Sequence, residues 1–435
     1  MNLKNKTLLK NKYLIVFAWL LLTALFIFLT LNRHSRTGVF NYHSEIWADK
    51  AGYYVYLPST FIYHFDASSF PDSITKNTGN GFILDTSHHV VKTKYPYGVA
   101  LLQTPFFLAA HWLAKPLGYA DNGFTLPYYR AIDFAAVFYF IIGLVFLWAY
   151  LRKSSSRKLS FFTLLFSVSA SNLYYYAIDE TGMSHIYSFA LFSFLIWLFT
   201  IFDIKKTFHV FLIAFLFALV IVVRPVNIIF LLFLVLIEKD KWRLWFSELR
   251  KINIIKTFAL VSPAVIVLLI QLLYWGYASG NYFSNPYKGE SFIYYLNPQL
   301  VKVWFSTNNG LFTYSPIWFF IIIAIVSLVF HDRFKGWMYL SLFLVLSYTV
   351  ASWWSWWMGC GFGHRAYVEY LPVFLMPVLF LWKKMSTNRF LLVITLILFA
   401  IFSIYNLMLT YCWDGCFYGE TWDWSALSNK FLEAF

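Results

Sequence analysis

An early stretch of this chain, EIWADKAGYYVYLPSTFIYH, combines acidic and aromatic residues. Two carboxylates, Glu45 and Asp49, precede an aromatic run in which Tyr53, Leu57 and Phe61 recur at helical spacing. This spacing predicts an interfacial helix that lies on a membrane surface. A carboxylate in that position could take a proton from an attacking hydroxyl, or it could hold a divalent metal ion. The alternative is a solvated loop acid without a chemical role.

A second group of ionisable residues follows a run of tyrosines in YYYAIDETGMSHIYSF. It contains two adjacent acids, Asp179 and Glu180, and then His185. Ionisable groups at a membrane boundary are costly unless they are paired or used, which makes these residues functional candidates. A structural ion pair with Arg130 or Arg224 would explain the acids equally well.

Two segments have the residue types of a phosphate site. In WWSWWMGCGFGHRAYVEYLP, glycines expose backbone N–H groups while His364 and Arg365 add donors and positive charge. In VVRPVNIIF, Arg224 interrupts an apolar run, and its planar guanidinium suits a phosphate or pyrophosphate. An arginine that merely anchors a helix end by reaching water would look the same. We predict phosphate binding by these three side chains.

Further polar residues could contact a sugar or a lipid head group, although ordinary loop positions would explain them as well. These candidates are Arg130, His185, Lys94, Tyr53 and Lys302. No Cys/His set has the spacing of zinc ligands, so no cofactor is predicted beyond a divalent metal on the carboxylates. The three cysteines allow a bridge between Cys412 and Cys416, or between one of them and Cys360.

The composition excludes a soluble protein. Of the 435 residues, 60% are hydrophobic, 23% are aromatic and only 12% are charged, which indicates a polytopic membrane protein. The net charge is +14, but the basic residues form no stripe and no nucleic-acid-binding module, so we reject a nucleic-acid partner. Lys- and Arg-rich inner loops explain the charge better. The chain also lacks a glycine fingerprint for a soluble nucleotide donor.

The hydropathy pattern predicts an all-α membrane protein with about eleven transmembrane helices and a cytoplasmic N-terminus. If one further apolar segment, residues 97–112, crossed the membrane, every later loop would change sides and most of the lysines and arginines would lie outside. We therefore interpret it as a re-entrant or outer-leaflet helix. We treat residues 1–435 as one domain, with a first extracytoplasmic loop at 32–127 and a short extracytoplasmic tail at 410–435. The predicted spans are 13–31, 128–150, 159–177, 185–203, 209–223, 226–237, 257–274, 316–330, 337–352, 366–382 and 390–409.

Taken together, these motifs resemble the GT-C superfamily of membrane glycosyltransferases, which includes protein O-mannosyltransferases and the lipid A aminoarabinose transferase. The chain departs from the best-known members because Tyr95-Pro96-Tyr97 replaces a His-Pro-Pro pattern and no adjacent acid pair follows the first span. The matching features are the early acids with DKAGYYVYLPSTF, KYPYGVALLQTPFFLAAHWL leading to Tyr129-Arg130, DETGMSH at 179–185, RPVN at 224–227, LFTYSP at 311–316 and GFGHR at 361–365.

The resemblance implies a transferase that moves a sugar from a polyprenyl-phosphate donor to a sugar, lipid or protein acceptor. The reaction would take place on the outer face of a bacterial-type inner membrane. By the same resemblance, Asp49 would be the catalytic carboxylate, with Glu45 as its rival. Arg365 and Arg224 would hold the donor phosphate, and Asp179 or Glu180 would orient the base or the sugar. The rival hypotheses are a lipid-linked sugar flippase or transporter, and a polysaccharide polymerase or ligase.

Overall fold

The computed structural model describes residues 3–36, 38–251, 253–287 and 289–432, with side chains from residue 13 onward. The chain is mostly helical, with 68% of its residues in helices and one two-stranded sheet among the described residues. The lysines predicted to flank the first span, at positions 4 to 12, have side chains outside this description. The last three residues of the predicted tail also lie outside it.

The elements follow one another in this order: α1 Leu3–His34, α2 Asp49–Tyr54, α3 Tyr56–Phe61, α4 Ile74–Asn77, β1 Ile83–Asp85, β2 Val90–Lys92, α5 Gly98–Ala114, α6 Leu126–Ser154, α7 Arg157–Ser169, α8 Leu173–Ile178, α9 Ser184–Phe199, α10 Thr207–Val223, α11 Ile228–Ile237, α12 Trp242–Leu249, α13 Ile254–Ser279, α14 Leu300–Phe305, α15 Leu311–Tyr314, α16 Ile317–His331, α17 Arg333–Ser352, α18 Leu371–Met385, α19 Arg389–Cys412 and α20 Trp424–Leu432.

Within the described residues, five helices are long and apolar enough to cross a membrane, and five further apolar helices are shorter. This architecture agrees with an all-α, membrane-embedded protein. The long helices are α1 from Tyr13 onward, α6, α13, α17 and α19.

One predicted span, 159–177, is broken in the structure. Its two parts, α7 and α8, are separated because Asn172 bonds to a neighbouring helix and loop instead of continuing the helix. The backbone N–H of Asn172 donates to Ser315 Oγ at 3.0 Å, and its side-chain amide donates to the carbonyl of Phe362 at 3.2 Å. Polar side chains and backbone groups that do not contact water require such partners, and here the protein itself supplies them.

The predicted interfacial helix forms two short helices, α2 and α3, that the protein covers. Tyr53 and Leu57 are only 6% and 2% exposed, whereas Phe61 is 39% exposed. The prediction that this whole face lies on lipid is therefore wrong for the first two residues. The reason is long-range packing: α5 packs against both short helices, and the Tyr95 ring lies 4.5 Å from the Tyr53 ring.

The re-entrant candidate is α5, which runs antiparallel to the first half of α6. The Tyr139 hydroxyl donates to the Leu102 carbonyl at 3.0 Å, and His111 Nδ1 lies 2.7 Å from the Tyr128 hydroxyl. The other end of α6, at Ser154, is fifteen residues beyond Tyr139, or about 22 Å at helical rise. Helix α5 thus lies beside one end of α6 only.

The two ends of α6 have different chemical surroundings. Near its start, Asp133 Oδ1 lies 2.7 Å from Nδ1 of His34, the last residue of α1. Near its end, the ammonium of Lys153 donates to Thr200 Oγ1, and Lys241 donates to the neighbouring Phe199 carbonyl at 3.0 Å. Carboxylates therefore mark one end of the bundle here, and lysines the other.

Candidate active site

Asp49 lies at the start of α2 and is held by two hydrogen bonds. Its Oδ2 accepts from Arg365 Nη2 at 3.0 Å, and its Oδ1 accepts from the Tyr95 hydroxyl at 2.5 Å. Burial alone would raise the pKa of this carboxyl, but Arg365, Tyr95 and Lys94 together hold the pKa below its ordinary value. The side chain is still 34% exposed, so an ionised carboxylate is accessible to another molecule.

Two glycines allow this arrangement. A Cβ on Gly52 would lie 2.3 Å from the Tyr95 ring, so only glycine leaves room for the tyrosine that binds Asp49. A Cβ on Gly81 would lie 1.9 Å from the carbonyl oxygen of Ala48, where the chain turns into α2. The local sequence therefore fixes both the approach of the tyrosine and the start of the helix.

Arg365 follows a glycine-rich loop that three contacts tie to two other parts of the chain. A disulfide joins Cys360 to Cys416, which settles the pairing that the sequence left open. The indole N–H of Trp413 donates to the Gly361 carbonyl at 3.0 Å, and the amide of Asn309 donates to the Gly359 carbonyl at 2.9 Å. The loop is thus anchored where it presents the guanidinium to Asp49.

These side chains line a cavity of about 540 Å³, within the size range of small-molecule sites. Lys94 and Glu290 form an ion pair at 2.5 Å in its wall, and Tyr287 and Phe292 of the loop after α13 also line it. Six of the predicted site residues meet in this cavity, namely Asp49, Tyr53, Lys94, His185, Arg224 and Arg365.

A buried acid that the sequence analysis did not select organises one side of the cavity. Glu369 is fully buried, and its Oε2 lies 2.7 Å from His185 Nδ1. Its other oxygen accepts a hydrogen bond from Arg224 Nη1, and that nitrogen also lies 3.1 Å from His185 Nδ1. The available signal was the position of Glu369 inside the predicted span 366–382, because a carboxylate among apolar residues requires a partner.

Glu45 lies in a separate, buried network. Arg130 Nη1 donates to Glu45 Oε1 at 2.8 Å and to Asp133 Oδ2 at 3.1 Å, and His34 contacts the other oxygen of Asp133. Burial, and then the nearby Asp133 carboxylate, raises the pKa of Glu45 to about 7. Glu45 is 3% exposed and does not line the cavity.

The same network contains the one group among the described residues whose ligand atoms could surround a metal ion. Atoms of His34, Glu45 and Asp133 lie within 4.8 Å of one another. However, Arg130 already donates to both carboxylates and supplies the positive charge that they need. These residues therefore fit a cation poorly.

The adjacent acids at the turn between α8 and α9 form ion pairs with partners that the sequence did not suggest. Asp179 binds Arg33 through Nε at 2.9 Å and Nη2 at 3.1 Å, and Glu180 lies 3.2 Å from the buried Lys50 ammonium. The predicted partners, Arg130 and Arg224, bind other acids. Long-range packing of the end of α1 onto this turn decides the pairing.

Two further predicted residues lie outside the cavity. His364 is 1% exposed, and its Nε2 lies 3.0 Å from the Trp356 carbonyl. Burial lowers the pKa of His364 to about 3, so the ring is neutral. The ammonium of Lys302 lies 5.6 Å above the Trp356 ring. Both side chains support the tryptophan-rich turn beside Arg365.

In comparisons with known proteins, no family model, no curated protein and no solved structure matches this chain.

Proposed function

We propose that this chain is a glycosyltransferase that moves a sugar from a polyprenyl-phosphate donor to an acceptor. One observation carries the proposal. An accessible, ionised Asp49 shares a cavity with two guanidinium groups, those of Arg365 and Arg224, in a protein rich in apolar helices. Arginines recognise phosphate through paired N–H donors, and a carboxylate within reach can take a proton from an attacking hydroxyl.

The reaction is a single displacement. Asp49 takes the proton of an acceptor hydroxyl while that oxygen attacks the anomeric carbon of the donor sugar. The bond between the anomeric carbon and the phosphate oxygen breaks, and the electron pair leaves with the polyprenyl phosphate. Arg365 and Arg224 stabilise the negative charge that develops on that phosphate. Attack from the face opposite the leaving group inverts the anomeric centre.

Because Arg365 pairs with Asp49, binding of the donor also changes the basicity of Asp49. Arg365 Nη2 lies 3.0 Å from Asp49 Oδ2, so a donor phosphate on Arg365 competes for the same positive charge. Loss of that charge removes the main influence that keeps the carboxyl acidic. Asp49 thus becomes a stronger base when the donor is bound.

Several contacts support an extracytoplasmic site in a protein with eleven spans and a cytoplasmic N-terminus. Helix α5 lies beside only the first half of α6, as a re-entrant helix would. Lysines such as Lys153 and Lys241 gather at the opposite end of the bundle, as the positive-inside rule requires of the cytoplasmic face. The Cys360–Cys416 disulfide lies beside Arg365, and disulfides persist in oxidising compartments. We infer a bacterial-type inner membrane.

The test is sugar transfer from radiolabelled polyprenyl-phosphate sugars in membranes that contain the wild type, Asp49→Asn or Arg365→Ala. Asp66→Asn is a matched control, because Asp66 is an exposed acid of the same outer loop that binds His89 instead. We expect transfer by the wild type and the control, and loss in the two site variants.

If labelled lipid changes leaflet without any donor being consumed, the flippase hypothesis replaces this proposal. If the product is a lengthened lipid-linked polysaccharide, the polymerase hypothesis replaces it. Monodisperse elution in detergent establishes that each variant is folded.

A further inference from the structure

A second cavity of about 680 Å³ meets the first one at the catalytic candidate. Four residues, Asp49, Lys94, Tyr95 and Asn285, line both cavities. Away from these residues the walls differ: the first cavity contains Arg224, whereas the second is formed by the loop around Asn80, the β1–β2 hairpin and the end of α13. Two molecules can therefore approach one carboxylate from separate cavities.

The second cavity offers neutral hydrogen-bonding groups. Asn80, Ser284 and Trp275 line it, and their polar side-chain atoms have no hydrogen-bond partner among the described residues. Trp275 is half-buried, so its side chain is partly accessible to another molecule. Groups of this kind bind a ligand that has both hydroxyls and apolar C–H faces.

The charged groups of the second cavity already have partners. Lys92 donates to Asp85 at 2.7 Å, Lys94 pairs with Glu290 at 2.5 Å, and Asp49 pairs with Arg365. Two arginines line the first cavity, whereas the second has lysines only, and a carboxylate neutralises each of them, so its wall offers no guanidinium to an anionic ligand. The lining therefore favours an uncharged, hydroxyl-rich molecule over a charged peptide or a phosphorylated lipid.

We propose that the second cavity binds the acceptor and that the acceptor is an uncharged saccharide stacked on Trp275. This inference rests on the proposed function above. A hydroxyl of the bound saccharide reaches Asp49 while the donor phosphate occupies the first cavity on Arg365 and Arg224. Asn80 and Ser284 bind the remaining hydroxyls, and they set which saccharide fits.

The test uses the full-length protein purified in detergent, radiolabelled polyprenyl-phosphate sugars as donors, and a panel of fluorescently labelled neutral oligosaccharides as acceptors. For Trp275→Ala we expect the acceptor KM to rise about tenfold, the size of one lost aromatic contact, with the donor KM within about twofold of wild type. Ser284→Trp fills the cavity and should abolish transfer, while the enzyme still binds the radiolabelled donor.

Trp354→Ala is the matched control, because Trp354 is 39% exposed and lines neither cavity. The proposal is overturned if Trp275→Ala raises the donor KM and leaves the acceptor KM unchanged. Transfer to peptides with no transfer to any oligosaccharide overturns the acceptor class.

If the wild type consumes no donor, the proposed function fails, and direct binding then decides the saccharide site separately. Binding of the labelled oligosaccharides to wild type, weakened about tenfold in Trp275→Ala and kept in Trp354→Ala, would support the site. Equal binding to all three proteins, or binding to none, would overturn it.

Discussion

The pH dependence of the proposed reaction shows which of the two early acids, Asp49 or Glu45, is the catalytic base. Asp49 and Glu45 are four residues apart, but their surroundings shift their pKa values in opposite directions. Arg365 and Tyr95 overcome the effect of burial and keep the pKa of Asp49 below its ordinary value. Burial and the Asp133 carboxylate raise the pKa of Glu45 to about 7. A base must be deprotonated to act, so each assignment predicts a fall of kcat/KM at a different acidic pH.

The expected magnitude follows from the fraction of each base that is ionised. A base with a pKa of about 7 is roughly 90% ionised at pH 8 and about 1% ionised at pH 5, so kcat/KM would fall about 90-fold. Even at the ordinary Asp value of 3.8, a carboxyl is about 94% ionised at pH 5, and a lower pKa leaves it more ionised. With Asp49 as the base, kcat/KM should stay within about 10% of its plateau.

The assay is kcat/KM for the polyprenyl-phosphate sugar between pH 5 and pH 8, measured for the wild type, Asp49→Glu and Glu45→Gln. The donor phosphodiester keeps one negative charge throughout this window and adds no limb of its own. We expect a flat profile for the wild type and for Glu45→Gln. The acidic limb of kcat should lie at higher pH than that of kcat/KM, because the bound donor takes Arg365 from Asp49. An acidic limb near pH 7 in the wild type that disappears in Glu45→Gln would refute this reasoning.

Three further outcomes are expected. Glu369→Gln removes the charge that orients two basic side chains in the cavity wall, and it should lower donor kcat/KM about 100-fold, with partial rescue by Glu369→Asp and no change in the release of product already bound. Cys360→Ser unties the loop that presents Arg365, so the donor KM should rise several-fold while the acceptor KM stays constant, and dithiothreitol should do the same to wild type but nothing further to the variant. A membrane-impermeant maleimide should label Ser87→Cys but not Ser154→Cys in intact cells, and labelling of Ser154→Cys would overturn the orientation, since both positions are exposed.

The parts of this fold that the sequence predicts are those decided locally. Each predicted span overlaps at least one helix, because apolar length is a property of a single segment. The span 159–177 was predicted as continuous, and its break at Asn172 depends on Ser315 and Phe362 far along the chain. Burial of Tyr53 and Leu57 likewise depends on α5 and on the Tyr95 ring, which no local pattern encodes.

The candidate site shows the same division. The residue types at Asp49 and Arg365 indicated a base and an anion-binding group, but their contact joins positions 316 residues apart. The sequence likewise does not indicate that the Tyr95 hydroxyl binds Asp49, which is 46 residues away. Glu369 lay inside a predicted span, and its partners on α9 and after α10 become visible only in three dimensions.

The two early acids differ because the chain turns between them. Glu45 precedes the turn, lies among Arg130 and Asp133, and is 3% exposed. Asp49 begins α2 and faces the cavity, whereas the next residue, Lys50, points inward to Glu180 and is 4% exposed. A substitution at Lys50 should therefore displace the start of the helix, and with it the carboxylate, although Lys50 itself does not line the cavity. Burial on one side of the turn and exposure on the other give two neighbouring carboxylates different pKa values, and they leave Asp49 alone in position to act as the proposed base.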